Sequence, residues 1–415
     1  MAGIYIHIPF CKQLCIYCDF YSTQMLSKRS GFVKALRKEI KSRSIEFSQI
    51  EENVNTIYFG GGTPSVLTAS HLGSILRDIR KYYPVCDNET NRDNELDSND
   101  EINVGSKPEI TLEVNPEDVT PVFMHSVKKA GFNRLSIGIQ SFYDAHLKWM
   151  NRRHTAAQAI KAFKIARESG FDNISIDLIF GFEGLTTDTW RENIKRAISL
   201  APEHISCYQM TIERKTKLYT QYLKGEYLAI NDQFSFCQFS SLQSYLAEAG
   251  YFQYEVSSFC KPGLKSRHNS SYWDFTPYFG FGPAAHSFNG RERSWNCKGI
   301  NSYINGIQNG TRLYKTEAIS PKDRFNEFIM VSLRKIEGID KKRLMAVNNL
   351  AELGSDQIEI DISQTEGFGQ FITEEFTETL NSFLEQGDLI EESGKIKIPP
   401  EKLFLSDGII RELFI

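Results

Sequence analysis

The sequence has no apolar run approaching the about 18 residues that crossing a bilayer requires. Its N-terminus, MAGIYIHIPFCKQLC, has no basic leader, no long apolar core and no small-residue cleavage site. No export signal is therefore expected, and the chain is read as cytoplasmic. It also has no excess of positive charge. Forty-eight Lys and Arg stand against 52 Asp and Glu, a net charge of −4, so nothing global favours nucleic acid. A hydrophobic fraction of 41 % and a charged fraction of 24 % exclude wholesale disorder, collagen and a coiled coil. In the cytosol thiols stay reduced, so the eight cysteines are not a disulfide framework.

What is present is a repeat of short β-rich runs and amphipathic stretches. The runs are GIYIHIP at 3–9, NTIYFGG at 55–61, EITLEVN at 109–115, NRLSIGIQ at 133–140, NISIDLIFG at 173–181 and HISCYQM at 204–210. Between them, residues 31–45, 68–82, 121–129, 155–169 and 188–200 place apolar side chains at three- and four-residue spacing, as helices do. Such alternation implies a parallel sheet with right-handed crossovers. Six βα units are too few for a closed eight-strand barrel. The expected fold is α/β, an incomplete TIM-type barrel or an open doubly wound sheet. In both, the site lies at the C-terminal ends of the strands. Residues 60–64, Glu113, Asn115, Gln140 and Gln209 fall on that rim, with Asp177 just inside it.

Residues 1–215 carry this repeat, apart from an insertion at 84–107. There the stretch CDNETNRDNELDSNDEINVGSK holds seven acidic and two basic residues with few apolar ones, and is read as disordered. Residues 216–319 contain one more helical pattern at 231–249 and then an aromatic, glycine-rich stretch at 251–288. From 320 to 415, helical patterns at 321–333, 340–348 and 373–386 precede the hairpin-like LIEESGKIKIPPEKLFLS, the outline of a winged-helix-like α+β domain. It is not notably basic, so a packing or partner role is expected rather than DNA reading.

Three of the cysteines fall within eight residues, in CKQLCIYC: Cys11, Cys15 and Cys18, a C-x3-C-x2-C spacing. Structural zinc usually takes four ligands. No fourth cysteine or histidine lies near, although His7 on the first strand could point inward. Three thiolates on one tight loop suit three corners of a 4Fe–4S cluster and leave one iron open to a substrate. Structural zinc and unligated thiols remain the alternatives. Cys86, Cys207, Cys237, Cys260 and Cys297 are scattered, as buried small hydrophobes usually are.

A C-x3-C-x2-C loop after a β-strand, opening a six-unit βα array, resembles the radical S-adenosylmethionine (SAM) superfamily. That resemblance implies that the open iron binds the amino and carboxylate groups of SAM, and that reductive cleavage yields a 5′-deoxyadenosyl radical. Further segments narrow it: YIHIPFCKQLCIYCDFYS, GGGTP, LEVNPE, RLSIGIQSF, NRRH, SIDLIFG and RHNSSYW resemble the anaerobic coproporphyrinogen oxidase family and, more closely, its haem-chaperone branch. By this resemblance Tyr5, Tyr17, Gly61, Gly62, Thr63, Glu113, Gln140, Arg152 and Asp177 contact SAM or border the cluster. The segment His268, Asn269, Tyr272 and Trp273 matches an HNxxYW motif implicated in haem binding, where an imidazole can ligate iron and flat aromatics can hold a porphyrin. From the chemistry alone, His268 could equally order a loop and Trp273 cap a core. His286, in GPAAHSF, is a second candidate.

Two departures from the oxidase pattern favour the chaperone branch. Phe20 stands where the oxidases carry a further cysteine, and only ten residues precede Cys11 where they carry a long segment. The resemblance then implies haem as cargo, haem-acceptor proteins of the respiratory chain, and a reductase or flavodoxin-type electron donor. Peripheral membrane association and a homodimer are also consistent with it. Whether SAM and the cluster control dimerisation or drive transfer stays open, and no catalytic residue is assigned. Oxygen-independent oxidation of coproporphyrinogen III and a zinc-binding scaffold are the competing functions.

Overall fold

A computed structural model of the chain describes residues 1–50, 52–86, 107–345 and 371–415. Most of the acidic insertion and the end of the 340–348 helical pattern lie outside the described residues. The first six strands are β1 (Ala2–Ile8), β2 (Val54–Gly61), β3 (Glu109–Val114), β4 (Arg134–Gln140), β5 (Ile174–Phe180) and β6 (His204–Gln209). They pair in chain order, all parallel, as the six-unit reading expects. The helices among them are α1 (Arg29–Ser42), α2 (Ser44–Ser48), α3 (Ala69–Tyr82), α4 (Pro121–Ala130), α5 (Asp144–Trp149), α6 (Ala156–Glu168) and α7 (Thr187–Ser199).

Local chemistry explains these boundaries. Thr68, Thr120, Thr155 and Thr186 each cap a helix by accepting the N–H three residues on. Such a cap stabilises a helix by about 1 kcal/mol. Along α3, Leu72, Ile75, Leu76 and Ile79 form one buried stripe against the sheet.

The strands alternate strictly, although parallel strands covered on both faces usually read as continuous apolar runs. Ile4, Ile6 and Ile8 of β1 are fully buried under the helices. Tyr5 and His7 point to the opposite, concave face, where Tyr5 stacks on Tyr58 of β2. Thr56, Glu109, Thr111, Arg134, Ser136, Ser175, His204 and Ser206 are likewise buried polar residues, at alternate positions of β2 to β6. The fold is thus a partial barrel with a polar lumen.

The barrel is not closed by pairing β1 with β6. Beyond β6 the chain forms α8 (Lys217–Leu223), α9 (Asp232–Glu248), β7 (Phe252–Glu255), β8 (Ser258–Cys260) and α10 (Arg267–Trp273). It then forms β9 (Tyr278–Phe281), β10 (His286–Phe288), β11 (Glu292–Asn296), α11 (Ile300–Gln308) and β12 (Tyr314–Ala318). One twelve-stranded sheet results, in the order β12-β11-β10-β9-β1-β2-β3-β4-β5-β6-β8-β7. The periodicity of the sequence did not announce these outer strands, because they are short and their residues are aromatic and glycine-rich. A buried carboxylate fastens the extension to α1. Glu39 accepts from the Gly282 N–H (3.0 Å), Asn296 Nδ2 (2.7 Å) and Tyr303 Oη (2.6 Å).

The C-terminal part holds α12 (Pro321–Leu333), β13 (Ile339–Asp340), α13 (Lys341–Met345), α14 (Glu374–Glu385), β14 (Ile390–Glu392), β15 (Lys395–Lys397) and α15 (Ser406–Glu412). The three strands form an antiparallel sheet in the order β13-β15-β14, the helix-and-hairpin unit expected. Among the described residues no helix is long and apolar enough to cross a membrane.

Candidate functional site

The chain leaves β1 at the C-terminal rim and forms the cysteine loop at once. The loop is pinned at its base, where the Cys11 N–H donates to Thr23 O at 3.0 Å. On one flank Lys12 pairs with Asp118. On the other, Gln13 Nε2 donates to Asn151 O (2.9 Å) and Asn151 Nδ2 donates to Leu14 O (2.6 Å).

Under the loop lies the glycine turn that ends β2. The Gly62 N–H donates to Ile8 O at 2.8 Å. A side chain there would stand 2.9 Å from Phe10 O and 3.0 Å from Cys11 Sγ, so only glycine lets the two segments meet. Gly61 has φ 110, and a Cβ there would strike the His7 ring. Thr63 Oγ1 lies 3.5 Å from Cys11 Sγ and accepts from Asn115 Nδ2 at 3.2 Å. Asn115 Oδ1 accepts from Arg152 Nη2 at 2.8 Å, and Arg152 Nη1 donates to Cys15 Sγ at 3.5 Å. The circuit Cys11–Thr63–Asn115–Arg152–Cys15 closes on itself. Three residues brought from three rim segments thus fix two of the three thiols.

These residues fit a 4Fe–4S cluster. Three soft thiol donors lie on one loop, with a cradle that a single Cβ would fill. Burial raises the pKa of Cys11 and pushes Cys18 up to about 12. Bound iron supplies the positive charge that makes such thiols thiolates. Tyr17, packed against the core behind the loop, has its hydroxyl held protonated by burial and by Cys15.

Inside the rim, two carboxyl groups share the polar lumen. Glu113 accepts from Tyr58 Oη at 2.7 Å; burial, reinforced by Asp177, raises its pKa to about 7. Asp177 accepts from Ser136 Oγ at 3.3 Å, and burial raises its pKa to about 6 against the pull of Arg134. Gln140 takes a left-handed φ of 67 just after a register shift between β4 and β5, which turns the strand end across the rim. His7 bridges Tyr5 Oη (3.1 Å) and Tyr21 O (2.8 Å), and burial lowers its pKa to about 4.

Tyr5, Tyr17, Gly61, Gly62, Thr63, Glu113, Gln140, Arg152 and Asp177 therefore gather at one end with Cys11, Cys15 and Cys18. The four residues matched to the haem motif sit at the other end of the lumen, where the His268 ring stacks on Tyr58 (centroids 5.1 Å) and on Tyr5 (6.5 Å). They lie on α10, whose first turn docks under β3: the Arg267 and His268 N–H groups donate to Glu109 at 3.1 and 3.0 Å. This is the N-terminal end of the barrel. His268 is 1 % exposed. Thr56 Oγ1 lies 2.8 Å from its Nδ1 and Tyr272 Oη 2.8 Å from its Nε2, so both ring nitrogens are engaged. Burial lowers its pKa to about 3. The Ser266 hydroxyl accepts from the Asn269 N–H, and the Trp273 indole lies beside the Arg334 guanidinium. As folded, the segment plugs the barrel floor.

Sequence reasoning did not single out Tyr58 or Arg134, and placed Asn115 only on the rim. Arg134 is 1 % exposed and supplies the lumen's central positive charge, felt by Glu113, Asp177, His204 and His268. The signal was available: Arg134 shares the inward register of Ser136 and Gly138 in β4.

Residues 5–197 match the radical SAM superfamily. The heme chaperone HemW of Bacillus subtilis (strain 168) is 33 % identical over 345 residues, 83 % of this chain and 86 % of that protein. The heme chaperone HemW of Haemophilus influenzae is 32 % identical over 370 residues, 87 % and 90 % of the two chains. The radical SAM enzyme coproporphyrinogen III oxidase (HemN) from Escherichia coli superposes with a TM-score of 0.78 at 20 % identity, over 100 % of this chain and 90 % of that one. That last likeness is one of fold. With a third of its residues shared along most of both sequences, the chain belongs to the HemW family of the radical SAM superfamily, whose members are built around a 4Fe–4S cluster and SAM.

Proposed function

We propose that this protein is a haem chaperone, which binds haem and passes it to acceptor haemoproteins. The observation that carries this reading is the near full-length relation to proteins named heme chaperones, joined to Phe20 at the place of the oxidases' additional cysteine. Phe20 is 66 % exposed on the cluster loop, an apolar group where the oxidase pattern has a further cysteine.

Cys11, Cys15 and Cys18 would hold the cluster, whose open iron and bound SAM supply one-electron chemistry. The chain's own residues define how that chemistry is positioned. Arg152 presents a half-buried guanidinium suited to a carboxylate while it holds Cys15. Thr63, Gly61 and Gly62 offer backbone and hydroxyl partners at the open rim. Glu113 and Asp177 supply acceptors whose ionisation near neutrality favours a cationic or hydroxylated ligand. The acceptors are respiratory haemoproteins, the electron donor is a reductase or flavodoxin-type protein, and the setting is the cytoplasm.

The test is twofold. Anaerobically reconstituted protein should be brown and should bind ferric haem saturably, followed by the Soret band. Incubated with coproporphyrinogen III, SAM and a reductant, it should release no protoporphyrinogen IX. Formation of that product would replace the chaperone reading with the oxidase. A colourless protein retaining zinc would replace both.

A further inference from the structure

We propose that Tyr58 joins the haem segment to the SAM pocket, so that His268, on leaving the barrel floor to meet haem, loosens Glu113 and lowers the affinity for SAM. The proposal rests on the haem-chaperone reading and names a regulation of its site: haem and SAM oppose one another, and SAM promotes haem release.

One strand carries both ends of the connection. Alternate residues of a strand share a face, and Thr56, Tyr58 and Gly60 of β2 follow one another along the lumen from floor to rim. Thr56 Oγ1 lies 2.8 Å from His268 Nδ1. Two residues on, the Tyr58 ring lies face to face with the His268 imidazole, with planes 21° apart. The far end of that ring reaches Glu113, whose Oε1 accepts from the Tyr58 hydroxyl at 2.7 Å. A Cβ on Gly60 would stand 2.8 Å from Tyr58 Cε1 and 3.0 Å from Glu113 Oε1, so the pair is packed tightly at the rim. Tyr5, opposite Tyr58 on β1, packs against both the Tyr58 and His268 rings. One buried phenol therefore meets the histidine by its face and the carboxylate by its hydroxyl.

His268 cannot ligate iron where it sits. It is 1 % exposed, and Thr56 and Tyr272 occupy its two ring nitrogens. Haem must draw it out of the floor. The docked helix α10 is seven residues long and is tied by few bonds. The Arg267 and His268 N–H groups donate to Glu109, and Arg267 Nη1 donates to Lys107 O at 2.9 Å. Against these, Ser270 Oγ and Trp273 Nε1 of α10 are buried without a hydrogen-bond partner, as is Thr111 Oγ1 of β3. Buried polar groups left unpaired destabilise the state that contains them. A ligand that binds only the undocked state shifts the population toward it.

When His268 leaves, Tyr58 loses the ring packed on its face, and its hydroxyl no longer holds Glu113 in one place. Glu113 is one of the acceptors assigned above to SAM. Coupling between two ligands is reciprocal, so SAM, by fixing Glu113 and Tyr58, raises the dissociation constant of haem by the same factor. Haem is then taken up by the SAM-free protein and released when SAM binds.

SAM is titrated by calorimetry into the anaerobic, cluster-loaded full chain, with and without saturating ferric haem and with no reductant, so that SAM is bound and not cleaved. Ferric haem is titrated by its Soret band with and without SAM. In wild type each ligand should raise the dissociation constant of the other by one common factor, about fivefold or more. Tyr58→Phe keeps the stacked ring and removes only the hydroxyl. It should weaken SAM binding and bring the common factor down to about one, which is no coupling. A purely structural role of Tyr58 would alter affinity or melting but keep the factor. Thr56→Val takes a partner of His268 away from the docked state and should tighten haem binding by about fivefold or more. A SAM affinity indifferent to haem in wild type, a wild-type factor retained in Tyr58→Phe, or unaltered or weaker haem binding in Thr56→Val would each overturn the proposal and leave the haem reading standing. Absence of saturable haem binding in wild type would overturn both.

Discussion

Replacing Gly62 with alanine tests whether the cysteine loop is held by a steric cradle. The added methyl would stand 2.9 Å from Phe10 O, 3.0 Å from Cys11 Sγ and 3.1 Å from Ile8 O. Two of these are backbone oxygens, and Ile8 O already accepts the Gly62 N–H at 2.8 Å. The strain cannot be relieved by swinging a flexible side chain. It must be exported to the loop, which carries Cys11, or to the β1–β2 junction. Forced overpacking of this kind costs about 1–3 kcal/mol, which lowers the population of the correctly placed loop by about 5- to 150-fold. The assay is iron and acid-labile sulfide per chain after anaerobic reconstitution, with visible absorbance and thermal melting of the cluster-free protein. Gly62→Ala should fold, melt somewhat lower and load far less iron. Gly73→Ala is the control: it lies in α3, its methyl would meet Ala130 Cβ at 3.4 Å, and a helical alanine in place of glycine is favourable. If Gly62→Ala loads iron like wild type and melts with it, the cradle argument is wrong.

Glu39→Ala should leave the Gly282 N–H, Asn296 Nδ2 and Tyr303 Oη without their buried acceptor, and costs about 3–5 kcal/mol in chemical denaturation. His268→Ala should unpair Thr56 and Tyr272 and destabilise the cluster-free protein by about 1–3 kcal/mol. An unchanged melting curve would show that the α10 plug is not held as described. The two lumen acids set a pH dependence. Their folded pKa values, about 7 for Glu113 and about 6 for Asp177, lie above ordinary carboxylate values. The folded protein therefore binds protons more tightly than the unfolded chain, and the stability they contribute is complete at acid pH. It is lost as pH rises through about 6 and about 7, a decline that Glu113→Gln should flatten in denaturation curves taken across that range. Arg152→Lys should keep the cluster but weaken SAM binding measured by calorimetry, because an ammonium cannot reach Cys15, Asn115 and Gly138 O together.

Much of the site was legible in the chain because its signals are local. Cys11, Cys15 and Cys18 announce a three-thiol loop by spacing, and the strand-end rule puts that loop beside residues 60–64, Glu113 and Gln140 without knowledge of any contact. The lumen was harder to read. Arg134 and Tyr58 look like unremarkable strand residues, and their role depends on neighbours on other strands, such as Glu113, which accepts from the Tyr58 hydroxyl and feels the Arg134 charge. The haem motif shows the opposite difficulty. His268, Asn269, Tyr272 and Trp273 form a strong local pattern, yet the partners of the His268 ring, Thr56, Tyr58 and Tyr5, come from strands far away in the chain.

The sequence by itself determined the six βα units, the polar-in and apolar-out alternation of their strands, the helix caps and the thiol spacing, since each is set by residues within a few positions of one another. Only the tertiary structure decided that the sheet grows to twelve strands, that Asn115 and Arg152 close a circuit between two thiols, that α10 seals the barrel floor, and that Tyr58 stands between His268 and Glu113. Those features are made by contacts between segments up to hundreds of residues apart, and no local pattern encodes which of them meet.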